Sequence, residues 1–308
     1  MSHMLHYLPE IEEALHANGA VVALESTLIT HGLPYPHNVE TALGMERAIR
    51  ETGALPATIA ILDGKIRVGL SADEIDRLGQ MKNVRKCSRR DLAVAVALGE
   101  NGATTVAGTM IVAHMAGIRV FATGGIGGVH RGHPFDVSAD LIELGRTPVA
   151  VVSSGAKSIL DLPLTLEVLE TQGVPVIGYE TDTLPAFYVR SSGLPIDARV
   201  DSPEAAAQII AAAGRLGLGH GILIAVPVPE GLSMPEDAAE AAIAQATEEA
   251  NTQGITGKAV TPFVLARVAE LTEGASRTAN IALLENNARI GGLIARALQP
   301  IGAVRDYL

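Results

Sequence analysis

Lys157 has the sequence context that best suits covalent chemistry in this chain. It follows a Ser-Ser-Gly-Ala segment at 153–156, which closes the apolar stretch 148–152, and the apolar Ile159 and Leu160 come soon after it. A lysine placed there is expected to be partly buried, and burial favours the neutral amine that attacks a carbonyl carbon. Because most lysines are solvated surface residues, the prediction depends on this position and not on the residue type.

Glu25 is a carboxyl group in a comparable setting. It ends the short apolar segment 21–24 and precedes Ser26 and Thr27. A carboxyl in that setting can act as a general acid. The local sequence indicates equally well a carboxylate that caps a turn between a strand and a helix. The catalytic interpretation therefore requires the fold to bring Glu25 close to Lys157.

A glycine cluster occupies 123–132, with five glycines in ten residues and with His130 and Arg131 near its end. Glycine permits positive φ, and successive backbone N–H groups in such a loop can form a nest for an anion. Together with the two cationic side chains, the cluster predicts contact with a phosphate or a sugar. The alternative is a tight turn packed against a helix. The spacing matches neither a dinucleotide-binding GxGxxG motif nor a Walker A loop.

Two carboxylates follow the glycine cluster, Asp136 and Asp140, with Ser138 between them as a predicted N-cap. Their spacing predicts one shared helix face. Beside an anion-binding loop, such a carboxylate offers a site to a hard divalent cation, which keeps several waters and takes one or two protein carboxylates. Helix capping and solvated charge are the ordinary explanation of the same pattern.

The net charge of −11 argues against a nucleic-acid partner, because a phosphate backbone needs a broad basic surface. A small anionic substrate remains compatible with it, since two or three Lys or Arg side chains can bind one phosphate. The most basic segment, 84–91, contains Lys86 and is a candidate anion site. A solvated basic face is its ordinary explanation.

Strand and helix patterns alternate along the chain, which predicts a layered α/β domain with a mostly parallel sheet and one early antiparallel hairpin. Ligands of such sheets bind at the carboxyl ends of the strands, so Glu25, Thr123 and Lys157 are expected to converge on one cleft. A capping box of Ser71 and Glu74 predicts one helix start. The predicted strands are 21–24, 58–62, 65–69, 120–123, 148–152, 174–178 and 221–226, and the predicted helices are 71–81, 104–116, 202–216 and 237–253.

One domain over 8–308 is expected, because the 308 residues contain no repeat, no low-complexity linker and no break in composition. Residues 1–7 are interpreted as a lead-in outside the fold that begins with a cloning remnant. Cys87 is the single cysteine, so an internal disulfide is excluded. The sequence shows no apolar run that would span a membrane, and a cytoplasmic location is expected by default.

The motifs resemble those of the pseudouridine-5′-phosphate glycosidase (pseudouridylate synthase) family, which is related to indigoidine synthase A-like proteins. The resemblance runs from about Leu8 to near the C-terminus. It is carried by 23–32, 101–106, 121–132, 135–140 and 155–161, and later by Lys258, 261–263, Asn280 and 286–288. One departure is the segment 132–135 at the rim of the implied phosphate site, which is shorter than the corresponding loop in some relatives.

The resemblance implies a lyase or C-glycosidase that reversibly cleaves the bond between uracil C5 and ribose C1′ of pseudouridine 5′-phosphate, in pseudouridine catabolism. It implies that Lys157 forms a Schiff base with ring-opened ribose and that Glu25 is the acid–base group. The implied fold is a three-layer α/β/α sandwich with a mostly parallel, mixed central sheet. The family's members are commonly trimeric.

The resemblance also implies binding residues. Asp136 matches the position of a metal ligand, with Mn²⁺ as the ion. The implied substrate contacts are Lys86, Val106, Ser138, Ala139 and Asp140, with Thr123 and His130 at the phosphate and Asn280 at the uracil. The partners expected are therefore small molecules, with no nucleic acid and no membrane.

Three other functions remain open at this point. A relative linked to indigoidine production would use a similar site on another substrate. A phosphosugar-binding regulator would keep the glycine cluster but would not need Lys157 or Glu25, so their presence favours an enzyme. A dinucleotide-dependent enzyme fits less well, since the required glycine spacing and the ribose-binding acid are missing.

Overall fold

The structure is a computed structural model that describes residues 4–255, 257 and 260–301. Lys258, which carries part of the resemblance, lies outside the described residues. The strands are β1 Leu5–Tyr7, β2 Val21–Leu24, β3 Leu55–Leu62, β4 Lys65–Val68, β5 Arg85–Cys87, β6 Gly102–Thr104, β7 Val120–Ala122, β8 Val129–His130, β9 His133–Val137, β10 Ala150–Ser153, β11 Leu160–Asp161, β12 Val176–Tyr179, β13 Ala198–Val200 and β14 Ile222–Ala225.

The helices lie between and after these strands, and a short 3-10 turn follows the last of them at Gln299–Ile301. They are α1 Pro9–His16, α2 Thr27–His31, α3 His37–Glu51, α4 Ala72–Gln80, α5 Arg89–Ala97, α6 Val106–Ala116, α7 Ala139–Leu144, α8 Leu162–Thr171, α9 Pro203–Leu216, α10 Glu236–Thr252, α11 Val260–Leu271 and α12 Ala275–Leu298.

A mixed, mostly parallel sheet forms the centre of the molecule. Its strands are ordered β1-β4-β3-β2-β7-β10-β14-β12-β13, with β6 pairing to β3 and β5 pairing to β6. The pairs of β3 with β4 and of β3 with β6 are antiparallel, and the run from β3 through β2 to β13 is parallel. Strands β11, β8 and β9 form a separate small antiparallel sheet.

The central strands are buried on both faces because helices cover the sheet from both sides. Every residue of β2, β7, β10 and β14 is buried, which matches their continuous runs of apolar or small side chains. Helix α12 packs on β2, β7 and β10 together with α3 and α9. Helix α6 packs on β2, β3, β4 and β7 from the opposite face. The predicted three-layer α/β/α architecture is confirmed.

The predicted elements with clear local signals are confirmed. Strand β2 has the predicted bounds, and β3 and β4 form the predicted hairpin around Asp63-Gly64. Helix α4 begins with the predicted capping box, in which Glu74 N donates to Ser71 Oγ at 3.2 Å and Ser71 N donates to Glu74 Oε2 at 2.9 Å. Thr104 ends β6 instead of opening the predicted helix, because the Thr105 side chain caps α6.

The expectation that residues 1–7 lie outside the fold is wrong for the strand Leu5–Tyr7. This strand pairs in parallel with β4, with Leu5 opposite Ile66 and Tyr7 opposite Val68. Leu5 is buried in the main core. Three residues are too few for a periodic pattern, so the sequence alone does not reveal this edge strand.

Among the described residues, no helix has both the length and the apolar composition that crossing a membrane requires.

Glu46 on α3 is a buried carboxyl group, and its Oε1 accepts a hydrogen bond from Thr58 Oγ1 at 2.6 Å. Burial raises the pKa of Glu46 above the ordinary value of 4.5, although the Thr58 hydroxyl and the charge of Arg50 oppose the shift. The folded state therefore keeps a proton that the unfolded chain releases. Its contribution to stability is fully present below pH 4.5 and falls as the pH rises through the higher folded-state pKa.

As the pH rises above 4.5, the wild type should lose stability, and we expect Glu46→Gln to lose less. The neutral amide cannot release a proton, and its oxygen can still accept the bond from Thr58. Urea denaturation over a series of pH values should show a flatter free energy of unfolding for the variant than for the wild type. Parallel profiles for the two proteins would contradict this assignment.

Candidate active site

The ends of three neighbouring strands bring the predicted catalytic residues together. Strands β2, β7 and β10 are parallel neighbours, with Leu24 opposite Ala122 and Ala122 opposite Val152. Glu25 and Thr123 follow directly on β2 and β7, and Lys157 follows shortly after β10. A cavity of about 260 Å³ opens there, and its lining includes Glu25, Lys86, Thr123, Lys157 and Asn280. The predicted convergence of Glu25, Thr123 and Lys157 is confirmed.

Glu25 is half-buried, and hydroxyl groups hold both of its carboxylate oxygens. Thr27 Oγ1 on α2 donates to Oε2, and Thr123 Oγ1 at the end of β7 donates to Oε1. The carboxyl is thereby fixed between two strand ends and faces the cavity. The hydroxyl of Thr123, which was predicted to contact a phosphate, is directed to Glu25 in this arrangement.

Lys157 is half-buried at the end of a tightly held loop. Gly155 adopts a φ of +77°, and a Cβ atom there would lie 2.5 Å from the carbonyl oxygen of Pro185, so only glycine fits. Lys157 N donates to Ile126 O at 3.0 Å, which joins the loop to the glycine cluster. Within the described part of the chain, the Lys157 side-chain amine makes no hydrogen bond or ion pair, so it is left for a ligand.

Phe187 and Tyr188 form a wall of the cavity that the sequence did not predict. Their rings meet edge to face, with centroids 4.8 Å apart, and Phe187 holds a φ of 62°. Burial raises the pKa of Tyr188 far above its ordinary value, partly offset by a hydrogen bond with Ser276, so the phenol stays neutral. With only four Phe and five Tyr in the chain, two adjacent aromatic residues were a usable signal.

Helices α11 and α12 close the side of the cavity that faces the strand ends. Ser276, Arg277, Asn280 and Leu284 of α12 line it, as do Thr261 and other residues of α11. Neither the Arg277 guanidinium nor the Asn280 amide makes a hydrogen bond or ion pair with the described residues. Asn280 was predicted as a substrate contact, whereas Arg277 was missed because nothing distinguishes it locally from a surface arginine of a helix.

Asn287 on α12 joins two of the strand ends. It is fully buried, and its Nδ2 donates to Thr123 O at 2.9 Å and to Ser154 Oγ at 3.1 Å. Thr123 itself lines the cavity, and Ser154 lies three residues before Lys157, which also lines it. The side chain therefore fixes the spacing between the ends of β7 and β10. The resemblance pointed to Asn287 but gave it no role.

The glycine cluster does not form the predicted anion nest. Gly124, Gly125, Gly127 and Gly128 are absent from the positive-φ residues, and close packing explains them instead. A Cβ atom at Gly127 would lie 2.2 Å from Ser138 Oγ. The backbone N–H of Gly127 donates to the Asp140 carboxylate at 2.8 Å, and that of Ile126 donates to Gly155 O at 3.0 Å. Gly124 and Gly125 do line the cavity, as a close-fitting floor.

Asp140 is a buried structural carboxylate. Its Oδ1 accepts from Ala107 N at 3.0 Å and its Oδ2 from Gly127 N, so it ties the start of α6 to the glycine cluster. Ser138 is the N-cap of α7, as predicted. Val106, Ser138, Ala139 and Asp140 are absent from the lining of the cavity, and their predicted contacts with a substrate remain predictions.

Asp136 and His130 lie on the small sheet, also away from the cavity lining. Asp136 is exposed on β9, before α7 begins, so the prediction that it shares a helix face with Asp140 is wrong. Among the described residues, no three His, Cys, Asp or Glu side chains form a group that could hold a metal ion. Asp136 therefore belongs to no such group among the described residues.

The basic segment 84–91 contributes one cation to the site. Arg85 pairs with Glu100, and Arg89 donates to both oxygens of Glu143 at 2.6 and 2.7 Å. Lys86 is half-buried on β5 and lines the cavity. Of this segment, Lys86 is therefore the candidate for binding an anion, whereas Arg85 and Arg89 form ion pairs with glutamates.

Comparisons with known proteins find similarity over nearly the whole chain. The family described as indigoidine synthase A like protein matches residues 10–297. Proteins named pseudouridine-5′-phosphate glycosidase are similar over nearly the whole chain. The one from Geobacillus kaustophilus is 57% identical over 97% of this chain and 100% of its own length. The one from Escherichia coli is 55% identical over 96% of each chain.

Two solved structures have the same fold. The prealnumycin C-glycosynthase AlnA, solved in complex with ribulose 5-phosphate, has a TM-score of 0.90 and 43% identity, and the match covers 99% of this chain and 100% of AlnA. An indigoidine synthase A-like protein from Thermotoga maritima has a TM-score of 0.88 and 36% identity over 97% of this chain and 98% of its own.

Proposed function

Because this chain belongs to the indigoidine synthase A-like family, we propose that it cleaves pseudouridine 5′-phosphate to uracil and ribose 5-phosphate. The observation that carries the proposal is that Lys157 and Glu25, which are far apart in the sequence, line the same cavity. The names of the relatives support a C-glycosidase. The AlnA complex supports a phosphosugar as the class of ligand.

The chemistry explains why an amine is needed. Uracil is joined to ribose C1′ through carbon, so protonating a leaving nitrogen or oxygen cannot help the bond break. In the proposed path Lys157 Nζ bonds to C1′ as the C1′–O4′ bond breaks, and Glu25 gives its proton to O4′. The ribose is then open and covalently attached to the enzyme.

The carbon–carbon bond breaks in the next step. The secondary ammonium formed by the attack first returns a proton to the Glu25 carboxylate. Its nitrogen lone pair then forms the C1′=N iminium, both electrons of the C1′–C5 bond go to uracil C5, and C5 takes up the proton from Glu25. Water then hydrolyses the iminium, returns the free amine and releases ribose 5-phosphate as its aldehyde. One water is consumed for each bond cleaved, and the reverse sequence joins the same two molecules.

Polar groups around the cavity suit the two halves of this substrate. The Asn280 amide offers a donor and an acceptor, the pattern that a uracil edge requires. Lys86 and Arg277 bring positive charge to the cavity, and arginine binds phosphate with paired N–H donors. Phe187 and Leu284 add apolar walls to the same cavity.

We also propose that Asp136 holds a Mn²⁺ ion. Asp136 is an exposed carboxylate, and a hard cation that keeps several of its waters would need only one or two protein carboxylates to hold it. Such an ion would supply positive charge that neutralises the phosphate. The side chains proposed for acid–base and covalent steps, Glu25 and Lys157, belong to the cavity and not to this site.

The test of the proposed function is release of uracil from pseudouridine 5′-phosphate by the purified protein, with formation of ribose 5-phosphate measured alongside it. We expect both products in equal amounts. Ribulose 5-phosphate, the ligand of AlnA, should be offered in a parallel reaction with uracil. Turnover of that pair alone would favour a C-glycosynthase on another sugar, as expected for the indigoidine-linked alternative.

Chelation tests the metal proposal. We expect EDTA to abolish uracil release and added Mn²⁺ to restore it, because the phosphate would lose its counter-charge. Asp136→Asn should show the same loss without rescue, whereas Asp73→Asn, at an exposed carboxylate on α4, should behave as the wild type. Full activity in EDTA would remove the metal from the proposal. The trimer and the cytoplasmic location remain predictions.

A further inference from the structure

Arg131 at the end of the glycine cluster contacts the segment that carries Lys157. Its Nη2 donates to Ser158 O at 3.0 Å and its Nε donates to Leu160 O at 3.1 Å. The same guanidinium pairs with both carboxylate oxygens of Glu240 on α10, at 3.2 Å each. It therefore bridges the Lys157 segment to a helix that lies far away in sequence.

These contacts leave the guanidinium little capacity for an anion. An arginine has five N–H groups. Nε, Nη1 and Nη2 of Arg131 already make four hydrogen bonds, and one carboxylate already balances the charge. The expectation that Arg131 donates to a bound phosphate or sugar is therefore wrong for this arrangement. The Arg131 guanidinium, which was expected to bind a ligand, forms its hydrogen bonds with groups of the protein instead.

Backbone contacts also hold the segment that Arg131 contacts, among them the pairing of Leu160 with His130 in the small sheet. Lys157 N donates to Ile126 O, and Leu160 N donates back to Lys157 O at 3.0 Å. Ser158 is buried, yet its Oγ has no hydrogen-bond partner within the described part of the chain. The carbonyl groups of 158 and 160 are the acceptors that Arg131 fixes, one on each side of Ile159.

We propose that Arg131, held by Glu240, is a positioning residue that fixes the backbone on the C-terminal side of Lys157 and so aims the amine at the sugar carbon. Its contribution to stability is small, since the Arg131 and Glu240 side chains are 36% and 58% exposed. Covalent attack depends on the position of the nucleophile to within about 1 Å, a displacement that can cost about 100-fold in rate. A clamp of this kind acts on the reaction far more than on folding.

Two measurements on Arg131→Ala and Arg131→Lys test the proposal, with Arg50→Ala as the matched control. Arg50 also donates to both oxygens of a glutamate, Glu10, and its side chain is 42% exposed. The first measurement is amide hydrogen exchange of the peptide that contains 157–160, which needs no substrate. The second is the rate of borohydride trapping at Lys157, which rests on the proposed function, with ribose 5-phosphate and with unphosphorylated ribose.

We expect faster exchange at 157–160 in Arg131→Ala, with no change in Arg50→Ala. Trapping should slow by about 10- to 100-fold with both sugars and by a similar factor for each, since the clamp does not touch the phosphate. Arg131→Lys should fall between, because one ammonium cannot reproduce the planar fork. In turnover, kcat should fall while KM for pseudouridine 5′-phosphate stays near the wild-type value.

The outcomes separate this proposal from the proposed function. Unchanged exchange at 157–160 overturns the clamp, whatever the activity. Slower trapping with ribose 5-phosphate alone would show that Arg131 binds phosphate instead. If the wild type is trapped by neither sugar, the Schiff base fails, and the exchange measurement still decides the role of Arg131.

Discussion

Lys157→Ala should lower the rate of uracil release by about 10⁴-fold or more, because the covalent path is lost and no other group can replace it. The carbon–carbon bond offers no basic leaving atom, so the remaining acid–base group at Glu25 has nothing to protonate that would break it. Steady-state rates of uracil release from pseudouridine 5′-phosphate measure the effect. Lys157→Arg should be equally inactive, since a guanidinium keeps its proton.

The fold should survive this change. Lys157 is half-buried and has no side-chain partner within the described residues, so its removal breaks no ion pair there and leaves the free energy of unfolding within about 1 kcal/mol of the wild type. Lys82→Ala, at an exposed lysine before β5, is the matched control and should keep full activity. Borohydride with ribose 5-phosphate should leave an adduct on the peptide that contains Lys157. An adduct on another lysine, or an active Lys157→Ala, would overturn the mechanism.

The meeting of Glu25 and Lys157 could be predicted because it follows from strand order alone. Each residue comes at or soon after the end of an apolar strand, and the carboxyl ends of parallel strands share one edge of the sheet. The structure places β7 between β2 and β10, so Glu25, Thr123 and Lys157 meet as expected. Local patterns with a fixed geometry, such as the hairpin at Asp63 and the capping box at Ser71, were equally readable.

Other parts of the site depend on neighbours that are distant in sequence. Glycine is needed both for positive φ and for close packing, and the sequence cannot tell these two reasons apart. Position 127 has no room for a side chain because Ser138 packs against it. Arg131 donates its hydrogen bonds to the carbonyl groups of 158 and 160. Which side chain fills a space or takes a donor is settled only by tertiary packing.

The wall of the cavity was missed for a related reason. Phe187 and Tyr188 follow β12 in an irregular segment, where the sequence has no periodic pattern that would predict their position. Helix α12 places Arg277 and Asn280 at the cavity and Asn287 beneath it, one helix turn or two apart. Because α12 is a late element packed over strand ends formed much earlier in the chain, its contacts are long-range and leave no local trace.

Glu25→Gln should lower uracil release by about 10²- to 10⁴-fold, the second largest effect expected, because the amide cannot give a proton to the sugar ring oxygen. The amide keeps nearly the same shape, and its oxygen can still accept a bond from Thr27 or Thr123. Glu13→Gln, at an exposed carboxylate of α1, is the matched control.

Ribose 5-phosphate tests whether Glu25 acts on the sugar ring oxygen, since its open form already presents a free aldehyde to Lys157. If Glu25 serves ring opening, the Glu25→Gln variant should still form the borohydride adduct while it fails to release uracil from pseudouridine 5′-phosphate. Loss of the adduct as well would mean that Glu25 acts on the amine or on the iminium. Undiminished uracil release would mean that the Glu25 carboxylate has only a structural role. In that role it joins α2 to the end of β7 through its two threonine partners.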